Sequence, residues 1–457
     1  MKKLIILYCI SAWVGLGACS VYKSYERPDM PVVDSLYRQA AATSADTTSI
    51  ASLSWRELFT DLKLQALIET GLQNNTDLNI ARLKVTEAEA TLMTSRLAYL
   101  PSISFEPSGT LRSVDGNAMT KSYDIAASAS WEVDIFGKLT NAKRGAKAAL
   151  EQSEAYRQAV QTQLIATIAN SYYSLLMLDA QLDISERTAA NWGENVRAMK
   201  ALKAAGDATE LAVAQSEASK LSVDASIASL RQQIDQMENT LTALLGIAPQ
   251  KIDRTTIGEQ RFPTELAAGV PLQLLQRRPD VRQSEAALAQ AFYATNAARA
   301  AFYPSITLSG SAGWTNAAGA AITNPGQWLF TAVGSLVQPL FNRGKNIANL
   351  RIAKAQQEEA LLSFRQSLLD AGTDVNNALI QWQTARQRQQ IDQQQILSLE
   401  STVRSSELLM QYSSQNYLEV LTARQTLLQA ELTAVSDRFD EIQGVINLYH
   451  ALGGGAE

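Results

Sequence analysis

From Lys138 to Ala205 the chain contains no proline and only two glycines, Gly145 and Gly193. Within that stretch Leu164, Ile168, Ser171, Leu175, Leu178 and Leu182 recur at steps of three and four. Proline breaks a helix because it has no N–H and its ring strikes the preceding turn, so its absence over such a length is a strong constraint. The spacing is that of a coiled-coil-like stripe with many small members. At 1.5 Å per residue it predicts one helix of about 100 Å. No globular domain of this size needs such an element.

The helix belongs to a duplicated series. "RLAYLPSISFEPSG" (96–109) matches "RAAFYPSITLSGSA" (299–312), with Pro304 following Pro101 by 203 positions. Asp280 follows Asp77 by the same 203, Phe341 follows Phe136 by 205, and "ALG" (451–453) follows "LLG" (244–246) by 207. Four stations in one order define a unit of about 205 residues, far longer than a solenoid repeat. The expected plan is a signal peptide at 1–18 and an N-terminal extension at 19–60. A first repeat follows at 61–249, a linker at 247–276 and a second repeat at 277–454.

Each repeat has the same parts. A helix of about 20 residues runs up to a proline, Pro101 or Pro304, which stops it and opens an extended segment. Two strands follow, expected at about 102–113 and 122–135 in the first repeat and 304–314 and 328–340 in the second. In 122–135, Tyr123, Ile125, Ala127, Ala129, Trp131, Val133 and Ile135 alternate with Ser122, Asp124, Ser128, Ser130, Glu132 and Asp134. The fourth strand is mixed. Ten-residue strands with one apolar and one polar face fit a membrane β-barrel; a soluble hairpin packed on a helix is the alternative, but it usually shows larger core residues than this modest face with aromatics near the strand ends. Long helices come next, at about 138–205 and 209–245, then at about 343–411 and 416–450. At the joins, Gly137 in "DIFGKL" and Gly344 in "LFNRGK" remove a side chain where strand twist converts to helix.

The N-terminus reads as a secretory leader. Lys2 and Lys3 precede an apolar run from Leu4 to Ala18, too short to span a membrane as a helix. It ends in "LGAC", which resembles a bacterial lipobox and makes Cys19 the acylated mature N-terminus. Cys9 is lost with the leader, so no disulfide forms within the mature chain.

The rest of the composition excludes more than it suggests. A net charge of −5 gives no electrostatic case for nucleic acid. One histidine, His450, near a helix end, supplies no catalytic set or zinc site. No phosphate-binding glycine loop occurs, and no cofactor or metal is expected.

Four strands cannot close a barrel, for which about eight is the smallest common number. An open sheet in lipid leaves edge groups unpaired at several kcal/mol each. Three copies supply twelve strands and, with each returning helix stacked end-on with a shorter one, twelve helical strands. Here "WEVDIFGKL", "RRPDVRQSEAALAQAFYATNAARAAFYPSITLSG", "QPLFNRGK" and "YLEVLTARQTLLQAEL", with the lipobox, resemble the TolC-type outer membrane efflux family, in its lipoprotein branch. The resemblance covers about 50–454.

It implies a mainly helical fold with membrane β: a homotrimer with a twelve-strand barrel and a twelve-helix α-barrel as periplasmic tunnel. It also implies outer membrane lipid, a periplasmic adaptor and an inner membrane RND transporter as partners, and the linker at the tunnel's equator. The stretch "YLEVLTA" (417–423) resembles the family segment whose two carboxylates, three residues apart, line the closed constriction. Glu419 fills the first acidic position and Thr422 stands at the second. The equivalent of Glu419 in the first repeat is Ala212, and "QYSSQN" is shorter than the usual family turn. A surface-anchored structural or adhesive coiled-coil lipoprotein is the alternative, but it leaves the strands in both repeats unexplained.

Acylation of Cys19 has a direct check. Mass spectrometry of the mature N-terminus should find lipid there, and Cys19→Ala should impair maturation or assembly more than membrane residence. An unacylated mature N-terminus would end the assignment.

Overall fold

The computed structural model describes residues 22–29, 50, 53–113, 115–116, 119–262, 278–316, 327–412 and 417–456. The leader, Cys19, the later part of the 247–276 linker and residues 413–416 lie outside them. Eight α-helices and five strands are described. They are α1 (Trp55–Leu58), α2 (Leu62–Asn74), α3 (Thr76–Leu97), β1 (Ser102–Phe105), β2 (Ser108–Arg112), β3 (Thr120–Val133), α4 (Lys138–Ala205) and α5 (Glu210–Leu244), followed by α6 (Pro279–Ala300), β4 (Ser305–Thr315), β5 (Gln327–Val337), α7 (Lys345–Tyr412) and α8 (Tyr417–Ala451).

The duplication is visible in the lengths. Helices α3 and α6 have 22 residues each, α4 and α7 have 68 each, and α5 and α8 have 35 each. The ends repeat as well. After α5, the Gly246 N–H donates to Ala243 O at 3.1 Å and the Ile247 N–H to Thr242 O at 3.1 Å. After α8, Gly453 donates to His450 O and Gly454 to Tyr449 O, both at 2.9 Å. Gly246 and Gly453 have φ +69 and +80, the left-handed geometry that this double cap requires. "LLG" and "ALG" are therefore two copies of one helix stop. Gly206, at φ +89, caps α4 in the same way.

The prolines act a little upstream of where they stand. Helix α3 ends at Leu97 and α6 at Ala300, four residues before Pro101 and Pro304. A proline has no N–H to bond the carbonyl four residues back and biases its predecessor to extended geometry, so the helix ends in the turn before it. Residues 98–100 and 301–303 turn, and strands β1 and β4 start directly after the prolines.

The sheet is antiparallel, in the order β1-β3-β4-β5, with β2 also on β3. The strand expected at 102–113 is thus two pieces, separated at Glu106 and Pro107, where proline has no N–H to donate. The register is unchanged across the gap, because Phe105 faces Ala127 and Ser108 faces Asp124. The strand expected at 328–340 stops at Val337, two residues before Pro339.

Register sorts the side chains into rows. Phe105, Ala127, Ala312 and Phe330 lie abreast, as do Ile125, Trp314 and Trp328. In the other parity stand Ser104, Ser128, Ser311 and Thr331 in one row and Ser102, Ser130, Ser309 and Val333 in another, with Ala126, Gly313 and Leu329 between the two apolar rows. Successive strand residues point to opposite faces, so one face is aromatic and aliphatic and the other carries hydroxyls. Among the described residues nothing covers the aromatics of the apolar face at β5: Phe330 is 80% exposed and Trp328 77%.

The chain divides into two compact units. The first contains the sheet, the starts of α4 and α7 and nearly all of α6. There the segment 22–29 lies on α6, with Arg27 Nε donating to Glu285 Oε1 at 2.6 Å and Tyr25 edge-on to Phe292 at 5.8 Å. The second contains α1, α2, α5, α8 and the remainder of α4 and α7. Its core packs Leu64, Ile68, Ile168, Tyr172, Leu175 and Ile446, all fully buried. Small residues let the helices close: a Cβ at Gly444 of α8 would meet the Trp382 backbone of α7 at 2.9 Å. Arg254, ahead of a short 3₁₀ turn at Ile257–Glu259, pairs with Asp179 of α4 and Glu238 of α5.

The two faces of β3 should respond differently to charge. Arg at Ala127 should cost about 2–4 kcal/mol if the apolar face meets the bilayer midplane, whereas Arg at Ser128 should cost little. Equal losses in a membrane-refolding titration would show that Ala127 does not face lipid.

Candidate functional site

Helix α8 begins at Tyr417, and its first turn is fixed to three other helices of the second unit. Tyr417 is 5% exposed and its hydroxyl meets that of Ser216 on α5, in a cluster with Met199 and Val213. Gln425 Nε2 donates to Ser219 Oγ of α5 at 3.2 Å. Arg424 Nη2 donates to Glu407 Oε1 of α7 at 2.6 Å, and its guanidinium lies 6.0 Å from the ring of Trp192 of α4. Trp192 is itself 1% exposed. Tyr417, Val420 and Ala423 are therefore the inward stripe.

Glu419 and Thr422 are on the other side, both exposed. Three residues apart on a helix, they are neighbours on one face. The Thr422 hydroxyl donates to Leu418 O at 2.9 Å, and Thr426 repeats the pattern on Thr422 O at 2.9 Å. Among the described residues no ion pair involves Glu419. The structure thus presents a carboxylate and a hydroxyl, side by side and turned away from the buried stripe. In the first repeat Ala212 sits at the matching place, its N–H accepted by Thr209 Oγ1 of the α5 N-cap.

The strand-to-helix joins form the second group. Gly137 and Gly344 have φ +71 and +75. A Cβ at Gly344 would meet nothing within 4 Å, so the backbone angle alone demands glycine there. Sequence reading missed the residue that makes the first join, Asp134. Its Oδ1 accepts the Leu139 N–H at 2.9 Å, and its Oδ2 accepts the Thr140 N–H and hydroxyl, both at 2.7 Å. This acid, the residue after β3, caps the free N–H groups of α4. The signal was present as Asp followed within six residues by a helix start. Phe136 stacks on Tyr303 at 5.0 Å and fixes the turn from the side.

Arg278 and His450 are structural. Arg278 is 4% exposed and bonds Asp280, Asp374 and the Ala451 carbonyl. His450 lies in the last turn of α8, its pKa lowered first by burial and then by Arg278. No group of three metal-ligating side chains occurs among the described residues, and no described helix is long and apolar enough to cross a membrane.

The comparisons with known proteins agree with this geometry. The family model for outer membrane efflux protein matches residues 67–247 and 270–454. The cation efflux system protein CusC of Escherichia coli O6:H1 is 31% identical over 456 residues, 98% of each chain. The probable outer membrane lipoprotein SilC of Salmonella typhimurium is 29% identical, over 100% of this chain and 99% of SilC. Among solved structures, the open state of the Neisseria gonorrhoeae MtrE outer membrane channel matches with a TM-score of 0.87 at 28% identity, covering 96% of this chain and 99% of MtrE.

The join is open to a stability test. Asp134→Ala should lose about 0.5–2 kcal/mol, and Gly137→Ala about 1–2 kcal/mol through its left-handed φ. Denaturant titration of the refolded protein measures both, and an unchanged midpoint for Asp134→Ala would show the cap to be idle.

Proposed function

Because the chain belongs to the outer membrane efflux protein family and is an outer membrane efflux channel, we propose that three copies assemble into the passive exit duct of a tripartite RND-type system. The sheet carries this reading. It is four strands wide, with β1 and β2 at one edge and β5 at the other, and among the described residues nothing covers the aromatics of its apolar face at β5. Lipid satisfies no edge group, so further strands must close it. Three such sheets give a twelve-strand barrel.

The helices support the same assembly. Ile380, Ile391, Leu397 and Leu408 of α7 are each more than half exposed in the single chain. A neighbouring copy would cover such a stripe in a twelve-helix tunnel. The duct carries out no bond chemistry. A periplasmic adaptor and an inner membrane RND transporter supply selection and energy. Cys19 anchors the chain through its lipid, and Pro101, Pro304, Gly137 and Gly344 set the strand starts and joins. CusC is named for cation efflux, so cations are the first cargo to test. The adhesive alternative has no use for exposed aromatics on a sheet face.

Assembly is read from a membrane-extracted species. It should migrate as a heat-modifiable trimer, and a monomer in mild detergent would overturn the duct.

Glu419 is the residue we place at the narrow periplasmic mouth, with Thr422 as a hydroxyl ring beside it. Three carboxylates about 6–10 Å apart repel by about 0.4–3 kcal/mol per pair for an effective dielectric of about 20–80. Such a ring attracts cations and resists anions. In single-channel recordings the closed pore should be cation-selective and blocked by multivalent cations. Glu419→Gln should weaken both properties while the trimer still assembles. Unchanged selectivity and block in that variant would place Glu419 away from the constriction.

A further inference from the structure

Two carboxylates are buried together between α7 and α8, away from the mouth. Asp437 is 1% exposed and Asp392 8%. Both oxygens of Asp437 and Oδ2 of Asp392 receive no well-directed hydrogen bond from the described residues. One cation faces them: Arg388 of α7 pairs with Asp437 Oδ1 and also reaches Asp440 Oδ2 at 3.6 Å. Arg388 is half-exposed, and its single charge is divided between two acids. The remaining neighbours are neutral or engaged elsewhere. Gln389 of α7 donates to the Asp437 carbonyl at 3.1 Å, and Gln181 of α4 to Ser436 Oγ at 3.0 Å. Glu441 of α8 is taken by Arg438 and Gln389, with Arg386 at 3.9 Å.

Two adjacent buried carboxylates with one partial counter-ion cannot both be charged at low cost. A proton shared between them turns two acceptors into one donor–acceptor pair, while Asp437 Oδ1 keeps its ion pair with Arg388. The first repeat has no such need. At the 207-residue offset, Arg388, Asp392 and Asp437 correspond to Gln181, Ser185 and Leu230. The acid pair is confined to the hairpin that carries Glu419.

We propose that Asp392 and Asp437 form a proton-binding site that ties α7 to α8, one proton per protomer, and that losing this proton loosens the helix pair. This inference does not depend on the cargo or on the position of Glu419 in the pore. Burial first, then the Asp392 carboxyl, pushes Asp437 up to about 6, while Arg388 opposes the shift. The unfolded chain titrates the same group near about 3.9. Between those values the folded state holds more protons than the unfolded one. The pair's contribution to stability is therefore fully present below about pH 4 and is lost as pH rises through about 6. Above that the two carboxylates repel, and α7 and α8 separate more readily.

The full-length assembly in detergent tests this by infrared spectroscopy and hydrogen exchange. A protonated-carboxyl band should titrate near pH 6 and disappear in both Asp437→Asn and Asp392→Asn. Backbone exchange in 385–395 and 434–441, corrected for the intrinsic pH effect, should be at least about tenfold faster at pH 7.5 than at pH 5. In Asp437→Asn that ratio should fall towards one, because the amide stays neutral and can donate at either pH. The proposal is overturned if the wild-type spectrum contains no carboxyl titrating in this window, or if the exchange ratio is the same in wild type and in a correctly assembled variant. The wild-type spectrum decides alone if neither variant assembles.

Discussion

A strand in lipid can send its N–H and C=O groups only to another strand, and the rest of this molecule follows from that constraint. The sheet pairs every strand internally but keeps two edges. Its apolar rows run across strands drawn from both repeats: Ala127 of the first lies beside Ala312 of the second. The duplication is thus completed within the sheet, where β3 and β4 share ten register pairs. Closure still requires more strands than one chain owns, so oligomerisation belongs to the fold itself. In the proposed trimer, neighbouring copies would cover the exposed apolar positions of α7, such as Ile391 and Leu397.

Joining strand to helix is a backbone problem with a local solution. Asp134, the residue after β3, offers its carboxylate to the free N–H groups of Leu139 and Thr140 in the first turn of α4. One residue between them must take a left-handed angle, and Gly137 does. The cap and the glycine together let the chain change from period 2 to period 3.6 within five residues. In the second repeat Gly344 takes the same angle, with Arg343 also at positive φ.

Much of this was legible in the sequence. Alternation over 122–135 exposed the two faces, because side chains alternate strictly along a strand. Absence of proline gave the long helices, and recurrence gave the duplicated plan. The break at Glu106 and Pro107 was hidden because alternation continues through it and Glu106 N–H still reaches Ala126 O at 3.2 Å, so only the missing donor of Pro107 interrupts the strand. Asp134 was assigned to the strand's polar face, since a cap contact depends on the turn that follows and not on periodicity. Glu419 was legible only through the family resemblance of "YLEVLTA"; the structure adds that Tyr417, Val420 and Ala423 form the inward stripe that leaves it exposed. The latch from Tyr417 to Ser216 joins residues 201 positions apart and left no local trace.

The acid pair was hidden for a simpler reason, and it had a readable signal. In a helical hairpin, partners stand at equal distances from the turn. Asp392 precedes residue 413 by 21 positions and Asp437 follows residue 416 by 21. Gln389 and Glu441 obey the same symmetry within a few residues, as do Glu407 and Arg424. Once the turn is placed, the sequence pairs the two acids by counting. Periodicity then shows that each lies on an inward stripe, with Asp437 between Ala430 and Gly444. A duplicated chain has no reason to keep two buried acids in one hairpin and Ser185 and Leu230 in the other unless the hairpins do different work. The difference falls on the same helices that carry Glu419 in place of Ala212. The helices hold similar numbers of charges in the two repeats, so what differs is placement: Arg388, Asp392, Glu419 and Asp437 stand where the first repeat has Gln181, Ser185, Ala212 and Leu230.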